Sequence, residues 1–231
     1  MNYGKGRAMT ANARGLFRAT GKMTKAMPVF DGEEWSRSDN PDRIAEDFYP
    51  TPPEPTRALL HAEGERMRQI GGPVWEAAAG DGAMAHVLRA GGFDVVCSDL
   101  VDRGHGGEVA SFFDYTTGPS GARMMVTNPP YNLVNARDGR ARWLWHALDV
   151  VGLDYVALLL NWNWPGAAGL AGFWHEHPPA RVYLMRWKID FTGAGAPPML
   201  SAWFVWDREH RGETVLRMLD RRDANQGELK W

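Results

Sequence analysis

Val74-Trp75-Glu76-Ala77-Ala78-Ala79-Gly80-Asp81-Gly82-Ala83-Met84-Ala85-His86-Val87-Leu88 is the stretch whose reading decides the fold. Val74-Trp75 reads as a short apolar strand, and small residues with two glycines follow it. Met84, Val87 and Leu88 then share one helical face from Ala83 until Gly91-Gly92 stops them. A strand that feeds a glycine turn and then a helix opens a βαβ unit, so parallel strands with crossover helices are expected around it. Further strands are expected at Asp94 to Cys97, Arg123 to Thr127 and Tyr155 to Leu160. A helix from Arg140 to Val151 would turn Trp143, Leu144 and Ala147 to the sheet. Upstream, a polar, Pro-rich stretch from Asp39 to Pro55 leads into a helix bearing Leu60, Met67 and Ile70, ended by Gly71-Gly72-Pro73. Downstream, Arg181 to Phe191 and Ser201 to Trp206, joined by the loop Thr192 to Pro198, read as a closing hairpin. The fold class is α/β.

The 231 residues suit one α/β domain with decorations: a flexible basic arm over 1–40 and a single domain over 41–231. In the arm, Lys5, Arg7, Arg14, Arg18, Lys22 and Lys25 precede the first acid, Asp31, which fits either a solvated tail or a segment touching phosphates. Hydrophobic content of 44% and charged content of 23% are ordinary for a globular chain, and no apolar run nears the roughly 20 residues that span a bilayer. A lone Cys97 forms no internal disulfide, and no basic-then-apolar leader is present, which together point to a reducing, cytoplasmic location. The net charge of −2 gives no whole-molecule support for nucleic-acid binding, so any such contact must be local.

Glu76 and Asp81 flank the glycine turn and narrow what it can hold. A dinucleotide would set an anionic pyrophosphate there, whereas S-adenosylmethionine brings a sulfonium and an ammonium. A carboxylate about 6 Å from a phosphate charge costs on the order of 3 kcal/mol at an effective dielectric of about 20, and helps a cation similarly. The third glycine of the dinucleotide fingerprint is also missing. Both features favour the sulfonium ligand, with Glu76, Ala78, Gly80 and Gly82 lining it. Asp99, with Leu100 beside it, ends the second strand about 20 residues beyond the turn, where an acid accepts from ribose hydroxyls. Asp114, in Phe112-Phe113-Asp114-Tyr115, is expected to end the third strand and accept from the ligand's adenine.

Asn128-Pro129-Pro130-Tyr131 follows the apolar run ending at Thr127, which sets it at the carboxyl end of the fourth strand, beside the same crevice. An aromatic amino group is a poor nucleophile because its lone pair is delocalised into the ring. The Asn128 side-chain oxygen and the Pro129 carbonyl can accept the two amino hydrogens and favour a pyramidal nitrogen. Two prolines fix the backbone that presents these acceptors. Tyr131 offers a ring on which an extruded base can stack, worth roughly 1–3 kcal/mol. No general base and no covalent nucleophile is required.

Together these residues resemble the class I S-adenosylmethionine-dependent methyltransferases, and within them the phage or prophage type of DNA adenine amino-methyltransferase. Phe48-Tyr49-Pro50-Thr51-Pro52 is similar to the family's segment at the methionine end of the cofactor, so the resemblance adds Tyr49, Thr51 and Pro52 to the cofactor contacts, with Asn128. It implies a Rossmann-like, mostly parallel seven-stranded sheet with the last strand antiparallel, helices on both faces, and adenine in DNA as substrate. The chain departs from the family at Ala77 and Ala78, where Pro and Cys are common, and has little room for a large target-recognition domain. Recognition would then fall to the loops at about 132–142 and 162–180, through Arg137, Arg140, Arg142, Trp162 and Trp164, for which a solvated loop and core packing are the plainer readings. His175 and His177 read as a surface turn, and no metal is expected. Two rival readings stand beside this one: transfer to RNA amino groups or protein glutamine, and a nucleic-acid-binding protein that keeps the fold without turnover.

Overall fold

A computed structural model describes residues 50–135, 140–191, 195 and 199–225. Among them are eight strands: β1 (Val74–Glu76), β2 (Val95–Asp99), β3 (Glu108–Val109), β4 (Met124–Thr127), β5 (Tyr155–Asn161), β6 (Arg181–Met185), β7 (Ser201–Asp207) and β8 (Val215–Leu219). They form one sheet in the order β3-β2-β1-β4-β5-β7-β6-β8. The strands from β3 to β5 are parallel neighbours. β7 runs antiparallel to both β5 and β6, and β8 lies parallel to β6 at the edge.

The sheet thus has eight strands where seven were expected, and its last strand is parallel; the antiparallel one is β7, inside the sheet. β8 left no signal because four of its five residues are exposed, so no buried face imposes a period on the sequence. The third strand is also not where it was expected. β3 is a two-residue exposed edge, and Phe112–Asp114 is a 3-10 turn whose Phe113 N–H is capped by the Ser111 hydroxyl.

Helix α1 (Pro53–Ile70) begins inside the Pro-rich stretch, because prolines in a first turn lack an N–H that would have no helical partner anyway. It ends at Gly71, whose φ of 69° closes the turn and whose N–H reaches the Met67 carbonyl at 3.1 Å. Helix α2 (Ala83–Ala90) follows β1, and α3 (Tyr131–Val134) follows β4. Helix α4 (Arg142–Trp145) starts two residues later than the expected helix, since Arg140 and Ala141 take left-handed φ values of 44° and 56°, and it runs on as a π turn over His146–Val150. Helices α5 (Ala171–Glu176) and α6 (Arg221–Asn225) complete the described elements.

Period-two alternation splits the strands between two cores. Val74, Val126, Leu159 and Trp203 pack on one face with α1, α2 and Ala224 of α6. Trp75, Met125, Leu158 and Phe204 pack on the other with Trp143, Leu144 and Ala147, which face the sheet as expected, and with Phe173 of α5. Strands buried on both faces read as continuous apolar runs, which is why β5 and β7 were conspicuous in sequence.

α1 is fastened to the sheet by polar groups as well as apolar ones. Glu63, 2% exposed, accepts from Arg181 at 2.5 and 2.9 Å, from the Tyr155 hydroxyl at 3.3 Å and from the Tyr183 hydroxyl. Asp207 accepts from Arg66 at 2.8 and 2.9 Å and from Arg181 at 2.9 Å. Burial alone would raise the pKa of Asp207, but these guanidinium bonds hold it down at about 2. Near the helix start, the Trp203 indole donates to the Pro55 carbonyl at 2.9 Å.

Candidate active site

The chain leaves β1 toward β2 and β3 on one side and returns on the other as β4. The carboxyl ends of β1 and β4 therefore flank the switch point, where open α/β sheets form a crevice. Register fixes what points into it. Glu76 pairs with Cys97, and Trp75 with Met125. Because side chains alternate, Glu76 and Asp99 continue the rows of Val74 and Cys97 and lie on the face covered by α1 and α2, while Asn128, one residue beyond β4, reaches Thr51 just before α1.

The glycine turn is built around Asp99. Gly80 and Gly82 have φ values of 58° and 82°, a region that costs other residues strain. The Gly80 N–H donates to Asp99 Oδ2 at 2.8 Å, the Val101 N–H donates to Oδ1 at 3.0 Å, and Arg103 Nη1 lies 3.4 Å from the same oxygen. A Cβ on Gly82 would also sit 3.4 Å from His105 Cα, so the loop after β2 packs directly on the turn. Leu100, beside Asp99, is 71% exposed, an apolar surface at the crevice rim.

Glu76 is 2% exposed. Burial pushes its carboxyl well above the usual carboxylate range; a hydrogen bond from the Ala85 backbone and the charge of Arg89 oppose this, while Asp81 and Asp99 add to it. Its Oε2 is buried without a hydrogen-bond partner. Asp81 Oδ1 meanwhile accepts from the Ala83 N–H at 3.0 Å. The opening turn of α2 is thus served by the chain's own carboxyl groups, and the charge of Asp81 disfavours the phosphate that such a helix start otherwise attracts.

At the tip of β4, Asn128 Nδ2 donates to Thr51 Oγ1 at 3.2 Å, while Asn128 Oδ1 is buried with no partner. Thr51, 7% exposed, immediately precedes Pro52, the half-buried N-cap of α1. Pro129 is buried, and Pro130 leads into α3, where its carbonyl accepts from the Leu133 N–H at 2.9 Å. The Tyr131 ring is 39% exposed, and desolvation raises the pKa of its hydroxyl.

Of the residues expected to line the site, the fold gathers Thr51, Pro52, Glu76, Ala78, Gly80, Gly82, Asp99, Leu100 and the tetrapeptide around one switch point. Asp114 ends no strand; it is exposed in the 3-10 turn after β3. Trp164 is half-buried, donates its indole N–H to the Val134 carbonyl at 2.8 Å and packs on Phe173, Trp174, Phe204 and Trp206, so it braces α3. Trp162 packs on the same core, half-buried. Arg140 and Arg142 are exposed, Arg142 with its guanidinium 4.1 Å from the centre of the Phe113 ring. Tyr49, Arg137 and the basic arm lie outside the described residues.

Sequence reasoning missed the pairing of Thr51 with Asn128. The residues lie 77 positions apart, and no local pattern announces a contact of that range. Among the described residues, no group of three or more His, Cys, Asp or Glu could hold a metal ion, and no helix is long and apolar enough to cross a membrane.

No known family profile and no curated protein matches the sequence. Solved structures do resemble the fold. A Pyrococcus horikoshii protein provisionally described as an RNA methyltransferase superposes with a TM-score of 0.50 at 15% identity, over 69% of this chain and 87% of the other. A Listeria monocytogenes protein provisionally described as a class I S-adenosylmethionine-dependent methyltransferase gives a TM-score of 0.49 at 11% identity, over 73% of this chain and 65% of the other. At such identity the first likeness is one of fold: the chain shares the Rossmann-like α/β architecture of the Pyrococcus protein.

Proposed function

We propose that this chain is an S-adenosylmethionine-dependent methyltransferase acting on the exocyclic amino group of a nucleobase, with adenine in DNA as its substrate. The observation that carries the reading is the buried, partnerless Oδ1 of Asn128 at the tip of β4, the strand that neighbours β1, whose Glu76 carries a partnerless Oε2. Orphaned buried acceptors are costly unless a ligand satisfies them. Two such atoms at a switch point call for a ligand rich in donors and positive charge.

The residues present fit the cofactor. Glu76 Oε2 is free for a cationic group, the turn through Gly80 and Gly82 gives backbone access, and Asp99 is held by backbone N–H groups with its remaining lone pairs toward ribose hydroxyls. Arg140 and Arg142 supply exposed positive charge for phosphates.

When bound, S-adenosylmethionine supplies the methyl group: the amino nitrogen's lone pair forms the N–C bond as the C–S bond breaks to a neutral thioether, and one amino proton leaves to solvent. Asn128 Oδ1 and the Pro129 carbonyl accept the two amino hydrogens before that step, which draws the lone pair out of conjugation and aims it. The half-exposed ring of Tyr131 stacks on the base and lowers the cost of extruding it. Glu76, ionised beside the cation, holds the cofactor's methionine end.

An RNA amino group presents the same two donors, and the provisional description of the Pyrococcus protein makes RNA the second acceptor to test. The test is incubation of the purified chain with methyl-labelled cofactor and separate DNA, RNA and protein acceptors, followed by identification of the modified group. Label in the N6-methyl of DNA adenine is the expected result. Label in RNA alone moves the substrate and keeps the chemistry, whereas label in protein or in no acceptor overturns the reading.

A further inference from the structure

We propose that Thr51 is a positioning residue for Asn128: its hydroxyl oxygen takes the carboxamide N–H so that the carboxamide oxygen is left for an amino substrate. This rests on the reading of Asn128 given above.

A carboxamide has nearly the same shape when turned over, but its two ends differ in chemistry, because the oxygen only accepts and the nitrogen only donates. An amino group offers two donors, so it needs Oδ1 in the crevice, and Nδ2 must then point the other way. Asn128 is half-buried, and an N–H shielded from water without an acceptor costs about as much as a lost hydrogen bond. Thr51 Oγ1, 3.2 Å from Nδ2, is the acceptor that removes this penalty. Its hydroxyl hydrogen rotates freely, so the oxygen can accept whenever the substrate demands that orientation.

Thr51 is itself held in place. Only 7% exposed, it adjoins Pro52 and Pro53 at the start of α1. The bond from the Trp203 indole to the Pro55 carbonyl at 2.9 Å pins that start, and the Glu63 clamp pins the helix body. The rigid α1 thus carries the acceptor to a fixed spot beside β4, which short-range sequence around Asn128 could not supply.

The test uses the full chain with Thr51→Val, which keeps the shape and removes the acceptor, and Thr51→Ser, which restores it. Each is made in the wild-type and the Asn128→Ala backgrounds. In single-turnover methyl transfer, Thr51→Val is expected to slow the wild type roughly 10- to 100-fold. With cofactor saturating, so that a change in cofactor affinity does not enter the rate, Thr51→Ser should stay within about threefold of wild type. Asn128→Ala leaves no carboxamide to orient, so adding Thr51→Val to it should cost nothing further. Independently of turnover, the side-chain amide protons of Asn128, assigned by their disappearance in Asn128→Ala, should exchange with solvent at least about tenfold faster in Thr51→Val than in wild type. Unchanged amide exchange, an equal loss in both backgrounds, or a loss confined to cofactor affinity would each overturn the proposal. If the wild type methylates no amino group, the reading of Asn128 fails while the exchange measurement still decides the role of Thr51.

Discussion

Replacing Glu76 by Gln keeps the side chain's shape and removes its charge, which isolates the electrostatic part of cofactor binding. Glu76 is 2% exposed, and burial raises its pKa well above the usual carboxylate range in the ligand-free chain. A cation docking at Oε2 favours the ionised form, so binding expels a proton over the pH interval between the two pKa values. Within that interval each pH unit should raise cofactor affinity about tenfold, or about 1.4 kcal/mol, and the gain should level off above the raised pKa. Glu76→Gln loses a charge-assisted hydrogen bond worth about 1.5–3 kcal/mol, so its Kd at the plateau should rise roughly 10- to 100-fold. Calorimetry in buffers of different ionisation enthalpy counts the released protons: about one more for wild type than for the variant. The ligand-free chain should show the opposite sign. Its folded form holds the proton more tightly than its unfolded form, so this group's contribution to stability falls as pH rises from the ordinary carboxylate pKa to the raised one. Glu76→Gln removes that decline and should gain on wild type in denaturant melts over the same range. Equal proton release and equal pH slopes for the two proteins would refute the assignment of Glu76 to a bound cation.

Two further outcomes test the framework and the nucleic-acid face. Glu63→Ala leaves Arg181 buried with a lost partner and should destabilise the fold by about 3–5 kcal/mol, read as a lower denaturation midpoint; a loss under about 1 kcal/mol would mean that the clamp does not hold α1. Arg142→Ala should weaken DNA binding and reduce the log–log salt slope by about one while leaving cofactor affinity unchanged, and an unaltered slope would remove Arg142 from the phosphate contacts.

What could be read in the sequence was what is local. The turn from Glu76 to Gly82 declared itself because strand, glycines and helix lie in one continuous run, and β5 and β7 because they are buried on both faces. Asn128-Pro129-Pro130-Tyr131 was legible because the chemistry of the segment lies in four adjacent residues. β3 and β8 were not legible: a two-residue edge and a strand exposed at four of five positions have no face to impose a pattern. The misplacement of Asp114 follows from the same cause, since the third strand ended before Phe112. The packing of Trp164 was not legible either, because only the tertiary fold brings the Val134 carbonyl to its indole. The link from Thr51 to Asn128 and the Glu63 clamp depend on α1 crossing the sheet, which adjacent residues do not encode.

Single-turnover methyl transfer to adenine-containing DNA by Asn128→Ala tests the central claim most directly. Loss of a preorganised acceptor at the reacting nitrogen should slow transfer by about 100- to 1,000-fold with cofactor saturating. Transfer at the wild-type rate by the variant would contradict the account.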